Sequence, residues 1–333
     1  MRLLTKVRTS PSPLVMPLVG QPAVKLTGSS LWQNESNAEL QYRTIKALYE
    51  YSQPDSVFTM MDLAVEAGAL GLPLRFPLNE PPTVEAVLVK RREDIERLHV
   101  VDVRFDGRVH TYVQTMHRLA ADADIPVPKG AYVAGPFSLA GLMMGATEIA
   151  MATLTDPDLV HEAVAFATSV VASYAQMLHA AGADMIVILE PSAVFLSPKA
   201  FATFSGAYVR RLVASLETDW LLHVCGDSTH LIRGMCETGV RGLSLDADVD
   251  LPSIAQEVPE DVLLVGNLHP VHVVAHGTPE TVRAATTTLL DEMREVPNFV
   301  LSTGCDVPYE APLENVKALV DAGKGIQRAS RTE

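Results

Sequence analysis

From about residue 128 onward, short apolar runs alternate with longer stretches whose apolar positions recur every three to four residues. The short runs read as strands buried on both faces and the longer stretches as amphipathic helices, so the pattern predicts βα units around a parallel sheet. The strand segments are 131–134, 185–189, 220–224, 242–245, 262–265 and 299–301. Asp156-Pro157, Ser197-Pro198 and Thr278-Pro279 each set a capping side chain before a proline suited to the first helical position. Beyond Pro157, residues Leu159, Val160, Val164, Val170, Val171, Tyr174, Met177 and Leu178 keep a period near 3.6, and Gly182 is the predicted stop.

Before residue 128 the pattern is weaker. It predicts a helix over 38–51, a strand over 57–63, and a strand leading into a charged helix over 84–97. The first 25 residues, with Pro11, Pro13, Pro17 and Pro22, read as an extended N-terminal arm. The predicted fold class is α/β, a distorted (β/α)₈ TIM barrel with an N-terminal extension. The arm is 1–25 and a single barrel domain occupies 26–330; an open doubly wound sheet is the alternative.

Composition narrows the function classes. The chain has 333 residues, 48% hydrophobic and 20% charged, enough apolar content for a large core. Its 26 basic residues against 40 acidic ones give −14, and no basic stretch is suited to tracking phosphates, so nucleic acid is a poor partner. No apolar run approaches the roughly 20 residues that a bilayer demands, and the first residues lack a signal-peptide pattern, so no membrane partner is expected. Three cysteines make no disulfide framework, and reduced thiols fit a cytoplasmic location.

The chemistry concentrates at predicted strand ends. His223-Val224-Cys225 closes the apolar run from Trp220 and precedes Gly226-Asp227. Residues i and i+2 of a strand face one side, so this end offers an imidazole and a thiolate together. Cys305, in Gly304-Cys305-Asp306 after Phe299-Val300-Leu301, is the candidate third ligand. Three protein ligands leave one position open, the arrangement of catalytic rather than structural zinc. Spacing alone leaves a second reading open, because free cysteines are commonly buried and a strand-end histidine is commonly just hydrogen-bonded. Glu190, Asp246, Asn267 and His269 also fall at predicted strand ends, either as site groups or as capping loop residues. Cys236, in the predicted helix after 229, reads as core packing.

Together these segments resemble the uroporphyrinogen decarboxylase superfamily, and within it the zinc-dependent methyltransferases that act on corrinoid proteins. The likeness rests on Gly182-Ala183-Asp184, Phe195-Leu196-Ser197-Pro198, His223-Val224-Cys225-Gly226, Gly266-Asn267-Leu268-His269-Pro270, and Gly304-Cys305-Asp306 leading to Pro312-Leu313-Glu314-Asn315. The decarboxylase branch implies an arginine-rich segment near the N-terminus, whereas residues 28–37 hold no arginine, and it carries no thiols matching Cys225 and Cys305. His269 departs from that branch, which has an aspartate before the proline, and Gly68 stands where relatives have a second acid.

The resemblance implies Zn²⁺ on His223, Cys225 and Cys305, with Asp246 near the fourth position. It implies transfer of a methyl group between a methylcorrinoid on a partner protein and a small thiol of the coenzyme M type. Asp246 and Glu190 are the candidate catalytic acids, and Asn267 and His269 the candidate residues facing the corrinoid. No Asp-x-His-x-x-Gly cobalamin motif is present, so the corrinoid is assigned to the partner. A pterin acceptor and uroporphyrinogen decarboxylation are the alternatives on this fold. A zinc hydrolase and a non-catalytic corrinoid-binding subunit are readings outside the family.

Overall fold

The computed structural model describes residues 3–325. Among them are the strands β1 (Val57–Phe58), β2 (Leu74–Arg75), β3 (Thr83–Val84), β4 (Lys129–Ala134), β5 (Met185–Leu189), β6 (Asp219–Val224), β7 (Gly242–Leu245), β8 (Leu263–Leu268) and β9 (Phe299–Thr303). Seven of them form one curled parallel sheet in the order β1-β4-β5-β6-β7-β8-β9, with helices outside. The fold is the predicted α/β barrel, and the six later strands fall on the predicted segments.

Every residue of β5 and β9 is buried, because a barrel strand faces packed side chains on both sides. Parity separates the two faces. Tyr132, Val187, Leu189, Leu221, Val265 and Val300 share one interior cluster, while their neighbours Val133, Ile186, Ile188, Leu222, Leu264 and Leu301 join the cluster that includes the helices. The three predicted caps are present: Asp156, Ser197 and Thr278 accept the backbone N–H of Leu159, Ala200 and Thr281 respectively. The helix Pro157–Ala180 is long and apolar enough to cross a membrane, contrary to the count of apolar runs, and half of its most apolar window is buried inside the protein.

The first third departs from expectation in three places. The first 25 residues do not form an open arm. Residues Leu3–Thr9 are a helix whose Leu3 and Val7, one turn apart, close the bottom of the barrel interior, and the Leu3 N–H donates to Asp219 at the start of β6. Residues 14–18 then run beside β9: Leu301 donates to Leu14 O, Met16 donates to Leu301 O, and Val15 bridges Leu301 in parallel. On the other side Val15 exchanges bonds with Asp55, just before β1. This segment fills the gap between the last and first strands.

The strand expected over 57–63 is only Val57–Phe58. The Ala134 N–H, which a longer β1 would have taken, donates to the Glu66 carboxylate instead, so a side chain ends the pairing. The strand expected near 84 lies outside the barrel, in the antiparallel pair β2–β3, and the helix after it is Arg92–Leu98. The expected domain end near 330 lies outside the described residues.

Candidate metal centre

His223 sits on β6 with the parity of Leu221, so its ring points into the mouth of the barrel, where it is buried. Two residues on, Cys225 leaves the strand on the same side. Cys305 arrives from β9 through Gly304, where the chain crosses the loop after β7: a Cβ on that glycine would stand 2.3 Å from the Ala247 nitrogen, so only glycine permits the crossing.

The three ligand atoms converge. His223 Nε2 is 3.1 Å from Cys225 Sγ and 3.6 Å from Cys305 Sγ, and the two sulfurs are 3.4 Å apart. A tetrahedral zinc with ordinary bond lengths sets such atoms at about 3.5 Å for N to S and about 3.8 Å for S to S. The sulfurs are unpaired cysteines. Of the described residues, this is the group of histidine, cysteine and acidic side chains whose ligand atoms all lie within 4.8 Å of one another.

Behind the ring, His223 Nδ1 is 3.2 Å from Ser244 O and 3.0 Å from Ser244 Oγ on the neighbouring β7. A carbonyl only accepts, so Nδ1 carries the hydrogen and Nε2 presents its lone pair to the sulfurs. Burial disfavours the charged imidazole, but the Cys305 sulfur, the Asp246 carboxylate and Ser244 outweigh it and leave the ring's pKa above its ordinary value. The Cys305 thiol is raised by its hydrogen bond with Cys225 and by burial. A cation arriving here has protons to displace.

The other sequence candidates divide. Asp246 is outside the three-atom group; its carboxylate accepts the Asp248 N–H, and its charge reaches His223. Asn267 has the interior parity of Val265, but its amide donates to Asp246 O and Val249 O, tying down the loop after β7. His269 uses Nδ1 to accept the N–H groups of Val271 and His272, capping the turn that follows β8.

Glu190, the other candidate acid, stands apart from the three-atom group. Fully buried, it takes the N–H groups of Phe137 and Ser138 and the Ser205 hydroxyl, which leaves it holding the start of the helix Pro136–Met144. Gly135 is glycine because a Cβ there would fall 2.0 Å from this carboxylate. Cys236 packs against the main core, and burial pushes its thiol up to about 11.

A second polar group escaped the sequence reading. Glu35, Asp62 and Glu66 are buried together in the first third, beside Arg108 and Tyr112. Asp62 takes the Arg108 guanidinium, the Tyr112 hydroxyl and the Ala64 N–H. Both Glu35 oxygens and Glu66 Oε2 have no hydrogen-bond partner. Burial pushes Glu35 up to about 9, with Asp62 adding to the shift, and pushes Glu66 up to about 8.

The family model described as uroporphyrinogen decarboxylase (URO-D) matches residues 1–326. A curated relative, the methylcobamide:CoM methyltransferase MtbA of Methanosarcina acetivorans, is 29% identical over 279 residues, covering 82% of this chain and 80% of its own. A methylated-thiol–coenzyme M methyltransferase of Methanosarcina mazei is 28% identical over 280 residues, covering 84% of this chain and 74% of its own. A solved methyltransferase from Methanosarcina mazei shares the fold with a TM-score of 0.87, at 24% identity and with 97% of each chain covered.

Proposed function

Since the chain belongs to the uroporphyrinogen decarboxylase family, we propose that it is a zinc-dependent methyltransferase of that family, moving a methyl group between a methylated corrinoid protein and a small thiol. One observation carries the reading: an imidazole and two thiols from separate strand ends bring their ligand atoms within 3.1 to 3.6 Å of one another. Decarboxylating a porphyrinogen has no use for two such thiols. The methylcobamide and thiol named for the two curated relatives agree with the assignment.

Zinc held there would supply the positive charge that deprotonates a thiol entering its open fourth position. The chain's own part is geometric and electrostatic. Ser244 fixes the His223 tautomer, and Cys225 and Cys305 give up their protons, so that two thiolates and a neutral imidazole balance a +2 ion. Asp246 is the acid assigned to shield the centre until the acceptor enters. Asn267 and His269, both committed to backbone partners, shape the mouth on the corrinoid side. In the reaction a carbon–sulfur bond forms on the acceptor and the carbon–cobalt bond breaks. The bonding pair stays with cobalt, and the thiol proton goes to solvent.

The cobalt must come within bonding reach, so the partner docks over the C-terminal ends of the strands. Phe195, 77% exposed, stands on that face in the turn after β5, and the adjoining Val194 abuts Gly226 next to Cys225.

The test is anaerobic demethylation of methylcobalamin followed by its visible spectrum, with coenzyme M, homocysteine or mercaptoethanol as acceptor. Thiol- and zinc-dependent loss of the methyl–cobalt spectrum, absent in Cys305→Ser, is the expected result. Turnover with tetrahydrofolate alone moves the acceptor to a pterin. Decarboxylation of uroporphyrinogen by zinc-free protein overturns the reading.

A further inference from the structure

The three ligands are not held alike. His223 and Cys225 hang from β6, which is paired along its length with β5 on one side and β7 on the other. Cys305 follows the last strand of the sheet, whose outer neighbour is the segment of residues 14–18. Fastenings from this N-terminal segment bracket the cysteine. The Leu18 N–H donates to Thr303 Oγ1 at 3.0 Å, and Leu18 O accepts the Val307 N–H at 2.9 Å. The Gln21 amide donates to Asp306 Oδ2 at 3.0 Å across 285 positions of sequence, and the Gly20 N–H faces the same carboxylate. Positions two before, one after and two after Cys305 are thus tied to residues 18–21.

We propose that residues 14–21 are the positioning element of the metal centre, and that Gln21 is a positioning residue that sets how tightly the centre holds its metal. The inference rests on His223, Cys225 and Cys305 being the zinc ligands. A tetrahedral site tolerates only a few tenths of an ångström in ligand placement, and residues that orient ligands from behind commonly govern affinity about 10- to 100-fold. Cys305 is the ligand whose orientation depends on a distant segment. Anything that lifts that segment from β9 therefore loosens one ligand of three while the sheet stays paired.

The test measures zinc affinity of the full chain by competition with a chromophoric chelator, together with the visible spectrum after cobalt substitution. Gln21→Leu, which keeps the volume and removes the donor, is expected to weaken zinc about tenfold or more and to change the sulfur-to-cobalt bands, with far-ultraviolet circular dichroism unchanged. Thr303→Val is expected to move both readouts in the same direction. Arg8→Ala, which breaks the ion pair with Glu260, is expected to leave both alone. Wild-type affinity and spectrum in a folded Gln21→Leu overturn the proposal; if that variant does not fold, the same result in Thr303→Val overturns it. A wild-type chain that takes up neither zinc nor cobalt sinks the ligand assignment first, which separates the two failures.

Discussion

Two clusters of polar side chains on this chain contrast in how they are built. At the mouth, His223, Cys225 and Cys305 hang from the ends of β6 and β9, and the histidine nitrogen that does not face the sulfurs is bonded to Ser244. In the first third, Glu35, Asp62, Glu66 and Arg108 come from helices and connecting segments, and Glu35 has no donor on either oxygen. The first arrangement is poised to bind a cation: its donors are close-set, and the ring lone pair faces the sulfurs. In the second the ligand atoms do not converge, and the charge is suppressed because burial keeps Glu35 and Glu66 protonated. Convergence of donor atoms, more than burial of ionisable groups, marks the reactive region.

The largest expected effect tests that distinction directly. Cys225→Ser and Cys305→Ser each remove one soft ligand of three and are expected to abolish stoichiometric zinc, a loss on the order of several kcal/mol of binding. Cys236→Ser, packed against the core with its thiol pushed up to about 11, is expected to keep its zinc. Metal analysis of the three purified variants decides the matter. Full zinc in both of the first two would dissolve the contrast between the regions.

The acid cluster should show itself in stability rather than in metal content. Its two glutamates ordinarily titrate near 4.5, but in the folded chain Glu66 titrates near 8 and Glu35 near 9. Between pH 4.5 and 8 the unfolded chain releases these protons while the folded chain keeps them, so the unfolded state binds fewer and stability falls as pH rises. Above the folded values the slope vanishes. From about pH 6 to about pH 8 the loss is on the order of 5 kcal/mol for the two together, about half of it from each glutamate. Glu35→Gln, neutral throughout, should flatten this fall, while the Asp62–Arg108 pair and Tyr112 remain in place. Thermal melts of both proteins across that range are the measurement, and equal slopes would show that Glu35 is ionised in the folded state.

The contrast also explains what the sequence revealed. A barrel strand repeats every two residues, so Val187 and Leu189 against Ile186 and Ile188 can be assigned to faces by counting, and so can His223 from Leu221. The proline-led helix starts after Asp156 and Thr278 were legible because capping is local chemistry. For Glu190 the strand end left two readings open, a site group or a cap, and counting could not choose between them because the helix start of Pro136–Met144, which takes both its oxygens, lies more than fifty positions earlier. Residues 14–18 and Glu35 were illegible for the opposite reason: their partners, Leu301 and Asp62, are distant in sequence and announced by no periodicity.

The smallest expected effect lies within the metal centre, at Ser244. His223 Nδ1 has two acceptors there, the carbonyl at 3.2 Å and the hydroxyl at 3.0 Å, and one hydrogen to share between them. Ser244→Ala removes the hydroxyl and keeps the carbonyl, so the tautomer that frees Nε2 is still enforced and only the ring's tilt is less restrained. Zinc affinity should fall a few-fold and by no more than about tenfold, equivalent to about 1.4 kcal/mol. That is less than Gln21→Leu is expected to cost, because the Ser244 carbonyl still holds the ligand ring itself, whereas losing the Gln21 amide leaves Asp306 with backbone donors alone. Chelator competition on the two variants side by side orders them. A hundredfold loss in Ser244→Ala would mean that the hydroxyl, rather than the β7 backbone, aims the imidazole, and the strand-borne ligands would then be no more firmly held than Cys305.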